Sequence, residues 1–156
     1  MRAAQIRGAP RRWLWVIVTG LVALDQLVKW IVVCRFVPAQ SLPVIPHVLH
    51  LTYVQNTGAA FGLFRGYPGV FACLSVAVSV WIALELFRRR VQDRLTEAAL
   101  VLIMSGAVGN LIDRARLGYV VDFIDLRVWP VFNIADSAIT VGVTLLIWQA
   151  FRRTNE

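Results

Sequence analysis

The sequence is short of nearly everything that a metal site or a disulfide framework requires. Its 156 residues include two cysteines, Cys34 and Cys73, and two histidines, His47 and His50. A disulfide scaffold takes more cysteines, and a zinc site takes closer Cys/His spacing. His47 and His50 stand three apart in a proline-broken stretch with no cysteine or carboxylate beside them, so they read as interfacial residues. Cys73 lies inside an apolar run and reads as a small lipid-facing or packing residue. Charge is scarce as well, at 16% of the chain, with only nine acidic residues. No internal repeat, low-complexity segment or linker divides residues 1–156, so a single integral membrane domain is expected. The net charge of +7 comes without an RNA-binding aromatic motif or a long basic helix face. Nucleic acid is therefore not an expected partner, and neither a metal nor a cofactor is called for.

What remains is apolar. Hydrophobic residues make up 58% of the chain and the mean hydropathy is +0.67, far above a soluble domain of this size. A hydrocarbon core about 30 Å thick needs roughly 20 apolar residues as a helix. Four segments qualify: Trp13 to Val33, Gly69 to Phe87, Leu95 to Leu111 and Val131 to Phe151. The fold class is thus an all-α membrane protein with four transmembrane helices. Arg2, Arg7, Arg11 and Arg12 precede the first span, Arg88, Arg89, Arg90 and Arg94 separate the second and third, and Arg152 and Arg153 follow the fourth. Basic residues mark cytoplasmic loops, so both termini are placed in the cytoplasm and the other two connections outside. Trp13, Trp15, Trp30, Tyr67, Trp129 and Trp148 fall near span ends, as an aromatic belt would. The first span has the basic start of a signal peptide. However, Asp25, Gln26 and Lys29 interrupt it and no convincing small-x-small site follows, so it reads as retained.

The first outward connection contains Pro38, Pro43, Pro46 and Pro68 and the β-rich run Val48-Leu49-His50-Leu51-Thr52-Tyr53-Val54. A turn and a series of small and aromatic residues follow it. A small sheet and a short amphipathic helix on the outer surface are expected there.

The polar residues near the spans all gather toward that same side. Asp25, Gln26 and Lys29 lie toward the outer end of the first span, and Asn110, Asp113 and Arg114 end the third. Asp122 and Asp125 lie in the second outward connection, and Asn133 and Asp136 open the fourth span. Helical spacing puts Asn110, Asp113 and Arg114 on one face, and Asn133, Asp136 and Thr140 on another. Gly106 and Gly109 allow a close helix approach next to the first of these faces. Asp25 and Lys29, at i and i+4, fit an intrahelical ion pair as readily as a direct role. Asp113 and Arg114 fit either a structural pair or a site, while an outward arginine suits an anion or a carbonyl. Asp125 reads as a solvated or capping carboxylate, and Glu85 as a partner of the nearby arginines. Asp122 and Asp136 resist such readings, because neither has a basic residue at helical spacing.

An acid at membrane depth is costly and marks function by default. If Asp122 and Asp136 meet around one water, mutual repulsion keeps a proton on the pair near neutral pH. The ionised member can deprotonate water while the protonated one polarises a carbonyl and then protonates a leaving amine. A proton relay would carry acids through the full membrane depth, whereas these stay in one layer. A non-enzymatic scaffold would not need unpaired aspartates, and a presenilin-like protease would carry Gly-x-Gly-Asp, which is absent.

Five stretches, in order, carry a family resemblance. They are Asp25-Gln26-Leu27-Val28-Lys29, Gln55-Asn56-Thr57-Gly58-Ala59-Ala60-Phe61-Gly62, Gly109-Asn110-Leu111-Ile112-Asp113-Arg114, Val120-Val121-Asp122-Phe123-Ile124-Asp125 and Phe132-Asn133-Ile134-Ala135-Asp136-Ser137. The chain resembles the lipoprotein signal peptidases, the type II signal peptidases of bacterial membranes, over nearly its whole length. The resemblance implies an aspartyl endopeptidase of the bacterial cytoplasmic (inner) membrane, with four spans and a small sheet plus short helix on the extracytoplasmic face. It implies Asp122 and Asp136 as the catalytic pair, Asn56, Asn110, Arg114 and Asn133 as substrate contacts, and Asp25 in support; Asp113 is taken as supporting too. The implied substrate is a diacylglyceryl-modified prolipoprotein cut just before its lipidated cysteine. Membrane lipid is then a partner, and nothing in the sequence demands more than a monomer. The segment from Asp122 to Asp136 is shorter than in some members of that family, which bears on the loop and not on the pair.

Overall fold

The structure, a computed structural model, describes residues 12–58, 68–88 and 93–154. The amphipathic helix expected after the β-rich run lies outside the described residues, as do Arg2, Arg7, Arg11, Arg89 and Arg90. Four helices, α1 (Arg12–Arg35), α2 (Pro68–Phe87), α3 (Arg94–Leu117) and α4 (Ile134–Thr154), are joined by strands β1 (Ser41–Ile45), β2 (Leu49–Asn56) and β3 (Val120–Asp125). All four helices are long and apolar enough to cross a membrane. The expected combination of four spanning helices and a small sheet is what the chain adopts.

Helix α3 packs against each of the other three helices, and its composition explains why it can. Gly106, Gly109 and, on α4, Gly142 stand where the backbones meet. A Cβ on Gly106 would strike the Ala135 carbonyl oxygen, and one on Gly142 would come within 2.7 Å of the Ala99 carbonyl oxygen. Without side chains there, α3 and α4 approach closely enough to share polar partners. Helix α1 shows how one face can serve two purposes. Its buried residues are Leu14, Val18, Asp25, Lys29 and Val32, a stripe at helical spacing that is apolar at both ends and charged at Asp25 and Lys29 between them. Leu14 and Val18 join Ile82, Leu100, Val101 and Met104 in an apolar core. Asp25 and Lys29 turn to α3 and the start of α4, and Val32 packs on the sheet.

The sheet is antiparallel in the order β1-β2-β3. Strand β3 is the unexpected member, because a strand was expected only before α2. Five of its six residues are buried, since β2 covers one edge and the ends of α1 and α3 lie against it. Val121 and Phe123 pack with Val32 and Tyr53. Beyond β3 the chain doubles back, and Phe132 pairs with Ile124 through backbone bonds of 3.0 and 2.7 Å.

Three span boundaries differ from expectation by three residues or more: the end of α3 and both ends of α4. Helix α3 runs six residues past Leu111, so Asp113 and Arg114 sit inside it, not at its end. Asn110 and Asp113 are buried and bonded to Lys29 of α1 and to the start of β3, so the loss of hydropathy there does not end the helix. Gly118 does so, with φ +79 and its N–H donating to the Arg114 carbonyl. Helix α4 starts three residues after Val131, because Val131 and Phe132 are used in the return along β3. Asn133 caps it: the Asn133 side-chain oxygen accepts from the Asp136 N–H at 2.8 Å, and Asp136 reaches back to the Asn133 N–H at 3.4 Å.

Candidate active site

Asp122 and Asp136 reach the same place by different routes. Asp122 is the third residue of β3 and only 1% exposed. Asp136 lies in the first turn of α4 and lines a cavity of about 790 Å³. Asn133 stands between them. Its side-chain nitrogen donates to Asp122 Oδ1 at 2.7 Å, while its oxygen and backbone N–H are bound to Asp136 as the helix cap. One wholly buried asparagine therefore touches both carboxylates.

Two further asparagines complete the arrangement. Asn56, the last residue of β2, donates to Asp122 Oδ2 at 2.9 Å, and its oxygen accepts the Gly58 N–H at 3.0 Å. Asn110, on α3, donates to Asp136 Oδ1 at 2.7 Å, and its oxygen accepts from Asn133 at 3.1 Å and from Lys29 at 3.0 Å. Both oxygens of Asp122 thus accept neutral amide donors. Among the described residues, no cation lies within ion-pairing distance of either aspartate. Burial pushes the Asp122 carboxyl up, as does the charge of Asp136; the amides of Asn56 and Asn133 act against this, and the result is about 7.

Asp25 and Asp113 lie behind this pair, and here a cation is present. Lys29 bridges them, at 2.9 Å to Asp25 and 2.8 Å to Asp113. Each of the two carboxylates also grips a backbone N–H. Asp25 accepts from Ala135 at 2.9 Å, and Asp113 accepts from Val121 at 3.0 Å. Those N–H groups belong to the residues just before Asp136 and Asp122. Gln26 adds bonds to Asp113 at 2.9 Å and to the Gly109 carbonyl at 3.1 Å. Gly109 leaves room for this, because a Cβ there would come within 2.8 Å of the Asp25 carboxylate.

The suggested Asp113–Arg114 pair does not form. Asp113 turns toward α1 and Lys29, whereas Arg114 lines the cavity with its guanidinium 5.4 Å from the Phe71 ring centre. Consecutive helical residues point about 100° apart, so a pair at i, i+1 was sterically poor from the start. The Asp25–Lys29 pair does form. Asp125 is a capping carboxylate and not a solvated one. It accepts from Thr52 Oγ1 at 2.8 Å and from the Arg127 N–H at 2.9 Å, which holds Arg127 at φ +66. Burial disfavours its ionised form, but the Thr52 and Arg127 donors outweigh that and hold its carboxyl below the usual range.

Sequence reasoning saw Lys29 only as a neighbour of Asp25. The i, i+4 spacing was the available signal, but its bonds to Asn110 and Asp113, over 80 residues away, had none. The rest of the cavity wall is largely apolar, with Leu74, Ile103, Trp129, Phe132 and Ile139 beside Asn56, Asn110 and Ser137. No group of three or more His, Cys, Asp or Glu able to hold a metal is found among the described residues. The carboxylates and amides are the reactive groups on offer. An apolar cleft with a few convergent polar groups and a displaced carboxyl pKa has the character of an active site.

Comparison with known proteins shows the family. The pattern of the family described as Signal peptidase (SPase) II matches residues 17–152. The lipoprotein signal peptidase of Moorella thermoacetica is 52% identical over 130 residues, covering 83% of this chain and 86% of that protein. That of Halothermothrix orenii is 44% identical over 138 residues, covering 86% and 94%. A solved bacterial membrane enzyme, determined by the in meso method at 2.3 Å resolution, superposes with a TM-score of 0.87 at 33% identity, covering 92% of this chain and 90% of its own. The four spanning helices, the sheet and the matched sequence are those of one family of membrane proteases, and the chain belongs to the signal peptidase II family.

Proposed function

We propose that this protein is a membrane aspartyl endopeptidase that removes signal peptides from diacylglyceryl-modified prolipoproteins, cutting before the lipidated cysteine. The observation that carries this reading is that Asn133 bridges Asp122 to Asp136, and that Asp136 lines a largely apolar cavity. The mechanism follows from the pair's surroundings. Two carboxylates this closely linked share a proton near neutral pH. Water between them gives one proton to the ionised carboxylate as its oxygen bonds to the scissile carbonyl carbon. The protonated carboxyl hydrogen-bonds to the developing oxyanion. When the C–N bond breaks, a proton from the pair passes to the leaving nitrogen, which becomes the amine of the lipidated cysteine. The signal peptide leaves with a new carboxylate. No covalent intermediate is needed.

The other residues take roles consistent with their bonds. Asn56, Asn110 and Asn133 hold the carboxylates in register, and Asn56 and Asn110 present a polar wall to the peptide. Arg114, beside Phe71 in the cavity wall, is a donor placed to meet a substrate carbonyl. Arginine placement puts both termini in the cytoplasm, and the site then lies at the outer face of the bacterial inner membrane. A substrate with two acyl chains stays in the bilayer and reaches the cavity sideways. A monomer suffices for this.

Purified enzyme in lipid, given a precursor with and without its diacylglyceryl group, tests the substrate class. The lipidated form is cleaved and the unmodified form is nearly inert. Equal cleavage of both would remove the lipoprotein reading and leave a general membrane peptidase.

A further inference from the structure

Lys29 is buried, charged and absent from the chemistry above, yet its bonds all lead toward it. An ammonium has three donors and no acceptor, and here all three are used: on Asp25, on Asp113 and on the Asn110 side-chain oxygen at 3.0 Å. The last bond has a consequence for Asp136. An amide side chain has an accepting end and a donating end, and an ammonium can face only the accepting one. Lys29 therefore fixes which way Asn110 points. With its oxygen held by Lys29 and Asn133, the Asn110 nitrogen faces Asp136 and donates at 2.7 Å. Without Lys29 the amide could turn over, set its oxygen against the carboxylate and disfavour ionisation.

The other two bonds act on the same pair. Asp25 holds the N–H of Ala135, the residue before Asp136, and Asp113 holds the N–H of Val121, the residue before Asp122. A single ammonium neutralises both gripping carboxylates.

We propose that Lys29 is a positioning residue for peptide cleavage: through Asn110 it sets the polarity of the hydrogen bond to Asp136 and keeps the aspartate pair ready to ionise. This rests on the aspartyl peptidase reading of the site. The groups facing Lys29 are Asp25 from α1 and Asp113 and Asn110 from α3. Asp136 on α4 and Asp122 on β3 lie beyond Asn110. Lys29 touches neither aspartate of the pair, so its effect belongs in the ionisation and rate of the enzyme and not in substrate binding.

The test uses Lys29→Met in the full-length enzyme, purified in lipid. Loss of the lysine leaves Asp25 and Asp113 facing each other and can prevent folding. The double variant Lys29→Met with Asp113→Asn therefore accompanies it, with Asp113→Asn alone as its reference, because it leaves the net charge of the cluster unchanged. On lipidated precursor, kcat falls on the order of tenfold to a hundredfold, the usual cost of losing a group that orients a functional ligand, while KM stays within about twofold. Losing an interaction that favours ionised carboxylate raises the pKa of the pair, so the acid limb of the kcat profile moves to higher pH. Infrared titration of the buried carboxyl groups, which needs no substrate, shows the same upward movement. Should the wild-type enzyme fail to cleave the precursor, the peptidase reading falls, while the infrared comparison still decides the role of Lys29. A folded double variant with an unmoved carboxyl titration overturns the proposal. So does a fall in kcat with an unmoved pH profile, which would make Lys29 purely structural.

Discussion

Two pairs of aspartates are buried side by side in this protein, and they are treated in opposite ways. Asp25 and Asp113 share a lysine and accept backbone N–H groups. Asp122 and Asp136 receive donors from three asparagines, and among the described residues they have no cation in contact. A cation in contact fixes a carboxylate in its ionised form, because protonating it would strand the partner's charge. Neutral amides hold a carboxylate in place without dictating its charge. The lysine-held pair is suited to holding α1, α3, α4 and β3 together. The amide-held pair is suited to gaining and losing a proton near neutral pH, as the value of about 7 for Asp122 indicates.

Breaking the lysine-held pair is predicted to cost the most stability. Asp113→Ala leaves the Val121 N–H and one side of Lys29 without a partner, and removing one member of a buried ion pair costs about 3–5 kcal/mol. The change is read as a large drop in thermal unfolding temperature or a failure to accumulate in the membrane. A loss below 1 kcal/mol would mean that the cluster is solvated and the contrast false.

Disturbing the amides costs less stability and more activity. Asn133→Ala removes the cap of α4, worth about 1 kcal/mol, together with the bridge between the aspartates. Cleavage is expected to fall on the order of 10–100-fold in a protein that still folds. An activity within twofold of wild type would show that the bridge is incidental.

The contrast also predicts an unusual gain. Burial and the charge of Asp136 push the folded carboxyl of Asp122 up to about 7 from the ordinary aspartate value of 3.8. Between those values the folded protein binds more protons than the unfolded chain, so this group's contribution to stability falls as pH rises through that window. Asp122→Asn cannot ionise. At pH 8 it is therefore expected to melt a few degrees above wild type, and the gain shrinks as the pH is lowered to 5. A gain independent of pH would assign the effect to packing. The smallest effect is expected at Asp125, which the site does not use. Asp125→Ala loses the Thr52 and Arg127 contacts at the rim of the sheet, at a cost of about 1 kcal/mol. Cleavage is expected to stay within twofold.

Much of this was legible in the sequence because a bilayer makes polarity conspicuous. Four apolar runs gave the spans, and the few acids and amides near their ends named the site. The i, i+4 spacing of Asp25 and Lys29 gave their ion pair. The limits of legibility were equally physical. Strand β3 is buried on nearly all sides and follows the polar end of a helix, so it shows no alternation to read. Hydropathy falls away after Leu111 and so stops α3 six residues short, although Gly118 marks the true end. The division of four aspartates into a lysine-held and an amide-held pair depends on contacts between residues up to 110 apart. Spacing alone could suggest that Asp122 and Asp136 meet, but not that Asn133 would stand between them.

Under the proposed function, the amide-held pair, and not the lysine-held one, performs the cleavage. The most direct measurement is turnover of a diacylglyceryl-modified precursor by purified Asp122→Asn and Asp136→Asn, each beside wild type in the same lipid. Both variants are predicted to fold and accumulate normally while cleavage drops below detection. Turnover near the wild-type rate by either folded variant would rule out Asp122 and Asp136 as the cleaving pair.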